Sequence, residues 1–227
     1  MKKTLFITSF IVLIGMLLIG CGGGGGGDDF GSGNITNNIS GTDTTVSTKI
    51  SSAKTYINNG TTSSYSQALT ELQALENDPN FSPTPEQKNI VKTGIKYCQI
   101  KLESAQVTDS STSAYFEQII SNANGTPVPD DTYFLLAACY SAQEKTSDAV
   151  TIMETMTKQG TTIVNSNYSY DSEFGIGTYG DAHAFLALLY YTEGNTTKAA
   201  EQKALAESKG VSNLGSTYLS NFGDIGL

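Results

Sequence analysis

The sequence predicts an all-α protein in which antiparallel helical hairpins stack as a short α-solenoid. Past residue 45, apolar residues recur at the spacing of a helix, in segments that end at Gly, Asn or Pro. There is also an internal repeat, because a Leu-Ala-X-X-Tyr pattern occurs at residues 136–140 and again at 186–190. A single hairpin cannot bury its apolar stripe alone, so repeated hairpins favour a stacked array.

The chain begins with a segment that predicts export. Two lysines precede an apolar run at residues 5–18, which is shorter than the roughly 20 residues that span a membrane. The run continues into Leu-Ile-Gly-Cys at residues 18–21. This order of features resembles a bacterial lipoprotein signal with its lipobox. The resemblance implies that residues 1–20 are removed and that acyl chains are attached to Cys21. An ordinary secretory signal and a retained anchor helix are the alternatives.

Residues 21–46 are predicted to be a flexible tether. Glycines occupy residues 22–27, and the remainder is rich in Gly, Asn, Ser and Thr. Because Gly rather than Asp follows Cys21, the lipoprotein resemblance implies the outer membrane of a diderm bacterium. The net charge of −9, with no Arg in the chain, argues against nucleic acid as a partner and against attraction to anionic lipid headgroups. The membrane is therefore expected to be reached through the lipid alone.

Four hairpins are expected in the body, which is assigned to residues 47–227. The helix pairs are residues 47–59 with 65–77, 84–103 with 112–123, 131–145 with 146–160, and 181–193 with 196–209. Ser64 with Gln67, and Thr84 with Gln87, fit capping boxes that open two of these helices. The remaining C-terminal residues are a candidate terminal cap. A compact bundle of eight helices is the alternative architecture.

The last two hairpins resemble degenerate tetratricopeptide repeats. That family has Leu, a small residue and Tyr on its first helix and a small residue on its second. The matching residues are Leu136, Ala137, Tyr140 and Ala149 in one unit and Leu186, Ala187, Tyr190, Ala199 and Ala206 in the other. The family's Trp and closing Pro are missing, and Tyr133 and His183 stand at the Trp position. The resemblance implies that the first helices line a groove that binds partner proteins. By alignment, the groove residues are Lys88, Asp131, Phe134, Ser141, Asp181, Leu188 and Tyr191.

Two cysteines, Cys98 and Cys139, remain after Cys21 is assigned to the lipid. They lie on the first helices of consecutive hairpins, and the cell envelope permits disulfides. A disulfide between them is one expectation, and two buried free thiols are the other.

Residues 161–180 form an insertion between the third and fourth hairpins. Long loops in compact domains are often functional, and Tyr combined with Gly suits a binding loop. The tyrosines of this insertion are Tyr168, Tyr170 and Tyr179. Asp171, Glu173 and Asp181 are candidate calcium ligands, but their spacing does not fit an EF-hand loop. A tolerated surface insertion is the alternative.

The sequence carries little material for catalysis. A phosphate loop, a zinc-protease motif, a nucleophile elbow and a CxxC pair are all missing. His183 is the only imidazole, and although Asp181 precedes it closely, no nucleophile can be assigned to the pair. We therefore expect no enzymatic activity, no cofactor and no metal, with His183 replacing the Trp of the repeat.

These features predict a lipid-anchored protein of the cell envelope. We expect it to act as a protein–protein interaction scaffold or adaptor for an outer-membrane assembly, with envelope proteins as partners. The alternative is a small-ligand-binding lipoprotein that belongs to a transport system, which would show a closed apolar pocket instead of an open groove.

Overall fold

The computed structural model describes residues 41–80, 82–158, 170 and 172–223. Within these residues the chain forms helices and no strand. The helices are α1 (Gly41–Asn59), α2 (Thr62–Glu76), α3 (Pro85–Lys101), α4 (Ser110–Asn122), α5 (Asp130–Ala142), α6 (Thr146–Lys158), α7 (Tyr179–Glu193), α8 (Thr196–Lys209) and α9 (Asn213–Gly223). Each packs mainly on its neighbours along the chain, and α9 returns to pack on α7. The predicted fold of paired, stacked helices is confirmed, whereas the predicted signal, with Cys21, and most of the tether lie outside the described residues.

Two helices begin earlier than predicted. Helix α1 begins at Gly41 and so includes Val46, which the sequence analysis assigned to the tether. Val46 lies one turn before Ile50 and is buried with it in the core. Helix α2 is opened by a capping box of Thr61 and Ser64, so the predicted pairing of Ser64 with Gln67 was wrong. The capping box predicted for α3 is confirmed.

The internal repeat is visible in how consecutive hairpins join. Tyr140 of α5 donates a hydrogen bond to Glu117 of the preceding helix α4, at 2.9 Å from the hydroxyl to Oε1. The aligned Tyr190 of α7 donates in the same way to Glu154 of the preceding helix α6. In both cases a lysine ammonium lies over the tyrosine ring. The Tyr of the sequence repeat therefore makes an equivalent contact at both junctions between hairpins.

Helix α7 is enclosed by other helices over most of its length. Its residues from Gly180 to Tyr190 are all buried, since α6, α8 and α9 all pack against it. At Gly180 the backbone of α7 approaches the end of α8 so closely that an added Cβ would lie 1.8 Å from the carbonyl oxygen of Gly210. Only glycine fits this crossing. No helix in the described ranges is both long and apolar enough to cross a membrane.

The expected disulfide between Cys98 and Cys139 is not formed, because both thiols are free and buried. The repeat alignment explains the separation. Gly94 stands where the third hairpin has Ala137, so Cys98 is two helical positions away from the register of Cys139. Two positions turn a side chain by about 200° around a helix, so the two cysteines do not occupy equivalent places on their helices. Burial raises the pKa of each thiol to about 12, so both behave as small apolar side chains.

Candidate functional site

A buried carboxylate organises one face of the first helices. Asp131 lies in the first turn of α5 and is 0% exposed. Its Oδ1 accepts hydrogen bonds from the Tyr170 hydroxyl at 3.1 Å and from the Ser172 hydroxyl at 2.9 Å. Its Oδ2 accepts from the backbone N–H of Phe174 at 2.8 Å. All three donors belong to the C-terminal part of the insertion, so this carboxylate holds an irregular, non-helical piece of the same chain.

We call residues 172–178 the crossing segment, and the surface beneath it the first-helix face. Lys54 of α1 forms an ion pair with Glu173. Phe174 and Ile176 are buried. The segment therefore contacts α1 and α5, and it also reaches α3 through Phe174.

A glycine of α3 makes room for the ring of Phe174. An added Cβ at Gly94 would lie 2.8 Å from Phe174 Cζ and 2.7 Å from Leu72 Cδ1 of α2. Both distances are shorter than any ordinary van der Waals contact, so alanine does not fit while the ring is in place. The aligned positions of the later hairpins are Ala137 and Ala187, and the missing methyl group at Gly94 is what forms this notch.

A second buried aspartate accepts hydrogen bonds from a covering segment at the aligned position of the next hairpin. Asp181 of α7 is also 0% exposed. It accepts from the backbone N–H groups of Thr178, Ser212 and Gly215, and from the Ser212 hydroxyl, at 2.7–3.0 Å. Ser212 directly precedes α9 and Gly215 lies in its first turn, so this carboxylate fixes the terminal cap on α7.

Aromatic rings connect the two carboxylate sites. Phe134 of α5 meets the ring of Tyr170 edge-on at 6.4 Å between centroids and the ring of Phe185 at 5.3 Å. Phe185 of α7 stacks on Tyr218 of α9 at 5.1 Å. The row runs from the insertion to the terminal cap, and its packing fixes how the covering segments sit on the first helices.

Burial governs the charge state of Asp131. Loss of solvent raises the pKa of this carboxyl to about 6, although hydrogen bonds from Phe174, Ser172, Tyr170 and Glu173 each lower it. Near neutral pH the carboxylate is charged, and it carries a desolvation penalty that its donors only partly offset.

The predicted groove residues are mostly inaccessible in the folded chain. Those that are buried are Asp131, Phe134, Ser141, Asp181 and Leu188. Lys88 is exposed and Tyr191 is partly exposed. The prediction of an open groove over α5 and α7 was therefore wrong. The cause is that the crossing segment covers Asp131, while α9 covers Asp181.

His183 pairs with Gln202 and not with Asp181. Its Nδ1 lies 2.6 Å from Gln202 Oε1, and its ring meets Tyr179 edge-on at 4.5 Å. Burial is the main cause that lowers the pKa of His183. The imidazole is therefore neutral at pH 7, with Nδ1–H donating to the amide oxygen. The Asp181 carboxylate accepts its hydrogen bonds from backbone and serine donors, so the described contacts do not form a catalytic relay between Asp181 and His183.

The candidate calcium ligands are not assembled within the described residues. Glu173 is paired with Lys54, and Asp181 faces N–H and O–H donors. No group of potential metal ligands occurs in the ranges that the structure describes. Asp171 and Tyr168 lie outside those ranges. Of the insertion tyrosines, Tyr170 binds Asp131, and Tyr179 begins α7 and lies under the ammonium of Lys209.

Sequence reasoning missed the residues that make this site specific, namely Gly94, Phe174 and Lys54. One signal was available. A glycine inside a helix costs about 1 kcal/mol relative to alanine, so Gly94 amid helical sequence called for a close-packing reason. Comparison of the chain with known protein families, with curated proteins and with solved structures found no match.

Proposed function

We propose that this protein is a lipid-anchored component of the cell envelope whose helical repeats act as a protein–protein interaction scaffold for an outer-membrane assembly. The observation that carries the proposal is that the first-helix face holds an irregular, non-helical peptide segment through side-chain contacts. Asp131 receives its backbone and hydroxyl donors, Lys54 pairs with its carboxylate, and the notch at Gly94 receives its aromatic ring. A helical array that holds one non-helical segment in this way has the chemistry to hold a partner's segment.

The anchor rests on the signal-like N-terminus, where the lipobox resemblance assigns the lipid to Cys21. Several acyl chains attach a protein firmly, whereas a body of net negative charge has little affinity for anionic headgroups by itself. Cys21→Ser should therefore move the protein from the membrane fraction to the soluble fraction of the cell. A variant that stays in the membrane fraction would mean that something other than a lipid on Cys21 retains the protein.

The scaffold role can be tested by site-specific photo-crosslinking in cells. One crosslinking residue replaces Lys88, which is exposed at the start of α3, and the control replaces Gln118, which is exposed on α4. The proposal expects a defined envelope protein to be captured from position 88 and not from position 118. Equal capture from both positions, or no captured protein from either, would contradict a scaffold that works through its first helices. Absence of a protein partner would favour the small-ligand alternative.

A further inference from the structure

The crossing segment is bound to the first-helix face in the manner of a ligand. The N–H of Phe174 and the hydroxyl of Ser172 both donate to Asp131 of α5. The N–H of Ile176 returns to Ser172 Oγ within the segment, and that of Thr178 goes to Asp181 in the capping box of α7. Asp131 is thus the acceptor on the helices that would serve another chain presenting an N–H and a hydroxyl at the same places.

Each contact selects one chemical feature. Lys54 selects an acidic side chain, and the Gly94 notch selects an aromatic ring directly after it. Gly175 has a φ of 64°, in the left-handed region that favours glycine, and its backbone lies beside the Asn58 side chain. The pattern that fits is thus a hydroxyl residue, an acidic residue, an aromatic residue and a glycine, in that order.

We propose that the first-helix face recognises a bent, irregular segment of a partner protein with this Ser-Glu-Phe-Gly-like pattern, and that the crossing segment occupies the face in cis until such a segment displaces it. This proposal rests on the scaffold function proposed above and names the partner chemistry of that same surface. A cis occupant lowers the apparent affinity of a partner by the fraction of molecules in which the face is free. A segment that binds weakly or departs from this pattern therefore does not displace the crossing segment.

The test uses the full chain in detergent and a fluorescent peptide with the sequence of residues 170–178, YDSEFGIGT. Binding is followed by fluorescence anisotropy for wild type and for Phe174→Ala, which removes the ring that anchors the cis segment. Because burial of a phenylalanine ring is one of the strongest single contacts in a protein core, the variant should bind the peptide about 100-fold more tightly than wild type. A peptide with Ala in place of its Phe should not bind, and adding Gly94→Ala to the variant should block the notch and abolish binding.

A second variant and a second measurement guard against loss of folding in Phe174→Ala. Ser172→Ala removes one donor to Asp131 without emptying the notch, and it should strengthen peptide binding by about 10-fold. In wild type, excess peptide should accelerate hydrogen exchange at the backbone amides of Phe174 and Ile176, because displacement exposes them to solvent.

The outcomes separate this proposal from the scaffold function itself. If the variants still fold into helices but fail to bind the peptide, and amide hydrogen exchange in wild type is unchanged by it, the first-helix face does not accept a segment from another molecule. The proposal is then overturned, even where position 88 still captures a partner in cells. If wild type binds as tightly as Phe174→Ala, the segment is not a competitor, and the cis occupancy is overturned. If the peptide binds as expected but no protein is captured in cells, the recognition chemistry stands and the scaffold function fails.

Discussion

Asp131 should make the stability of this fold depend on pH in a direction opposite to that of an ordinary paired carboxylate. Its pKa is raised from 3.8 to about 6 in the folded chain, chiefly because burial penalises the charged form. The folded state therefore binds this proton more tightly than the unfolded chain. The stabilising contribution is complete below pH 4, and it is lost as the pH rises through 6.

The size of the effect follows from the shift. About two pKa units, at 1.36 kcal/mol each, correspond to about 3 kcal/mol of unfolding free energy between pH 4 and pH 7. Because a change of pH acts on the whole chain, the contribution of Asp131 has to be isolated by a variant that cannot titrate at this position. Asp131→Asn keeps the size of the side chain and removes the ionisation.

The assay is urea unfolding of wild type and Asp131→Asn at pH 4, 5, 6 and 7, followed by helical circular dichroism. The free energy of unfolding of wild type minus that of the variant should fall by about 3 kcal/mol from pH 4 to pH 7. A difference that stays constant would show that Asp131 has the same pKa folded and unfolded. A difference that grows with pH would show that the donors from residues 170–174 outweigh desolvation, so that the carboxylate prefers its charge in the fold.

Three further predictions concern packing. Gly180→Ala should lower the free energy of unfolding by about 3 kcal/mol, since its Cβ would collide with a backbone carbonyl. The control Gly177→Ala should cost little, because the nearest neighbours of its Cβ would lie at 3.6 Å or more. Thermal melts that coincide for the two variants would refute this reasoning. Cys98 and Cys139 should both resist a thiol reagent in the native chain and react fully in urea, and a native mass showing a disulfide would contradict the structure. Tyr190→Phe should cost about 2 kcal/mol by equilibrium unfolding, because it removes a hydrogen bond to a charged carboxylate, and an unchanged midpoint would show that this junction between hairpins does not need the bond.

The helices could be predicted from the sequence because their signals are local. Apolar spacing and capping residues act within one or two turns, and Thr84 with Gln87 opens α3 as its sequence indicates. Where two capping candidates lay close together, as for α2, the sequence did not show which one is used, because Ser64 can be either the first or the fourth residue of a box. The helix that follows is the same in both cases, so the error is confined to one turn.

The candidate site could not be predicted in the same way. Phe174 lies in an irregular segment without periodicity, and its contact with Gly94 exists only in the stacked array of hairpins. An aspartate in the first turn of a helix is usually exposed, so nothing near Asp131 in sequence indicates burial. The donors to Asp131 lie about forty residues later in the chain, so these tertiary contacts cannot be predicted from a local sequence pattern.

The buried aspartates also determine how the first-helix face can change its occupant. Asp131 is 0% exposed beneath the crossing segment, and burial opposes the charge of its carboxyl. Removing the segment and leaving nothing in its place would return that carboxyl to water but would empty the notch at Gly94. An incoming chain that buries Asp131 again has to bring its own N–H and hydroxyl donors, because a carboxylate buried without donors is costly, and it has to bring a ring for the notch. The same contacts that close the face against solvent thus restrict which segment can replace the one in place.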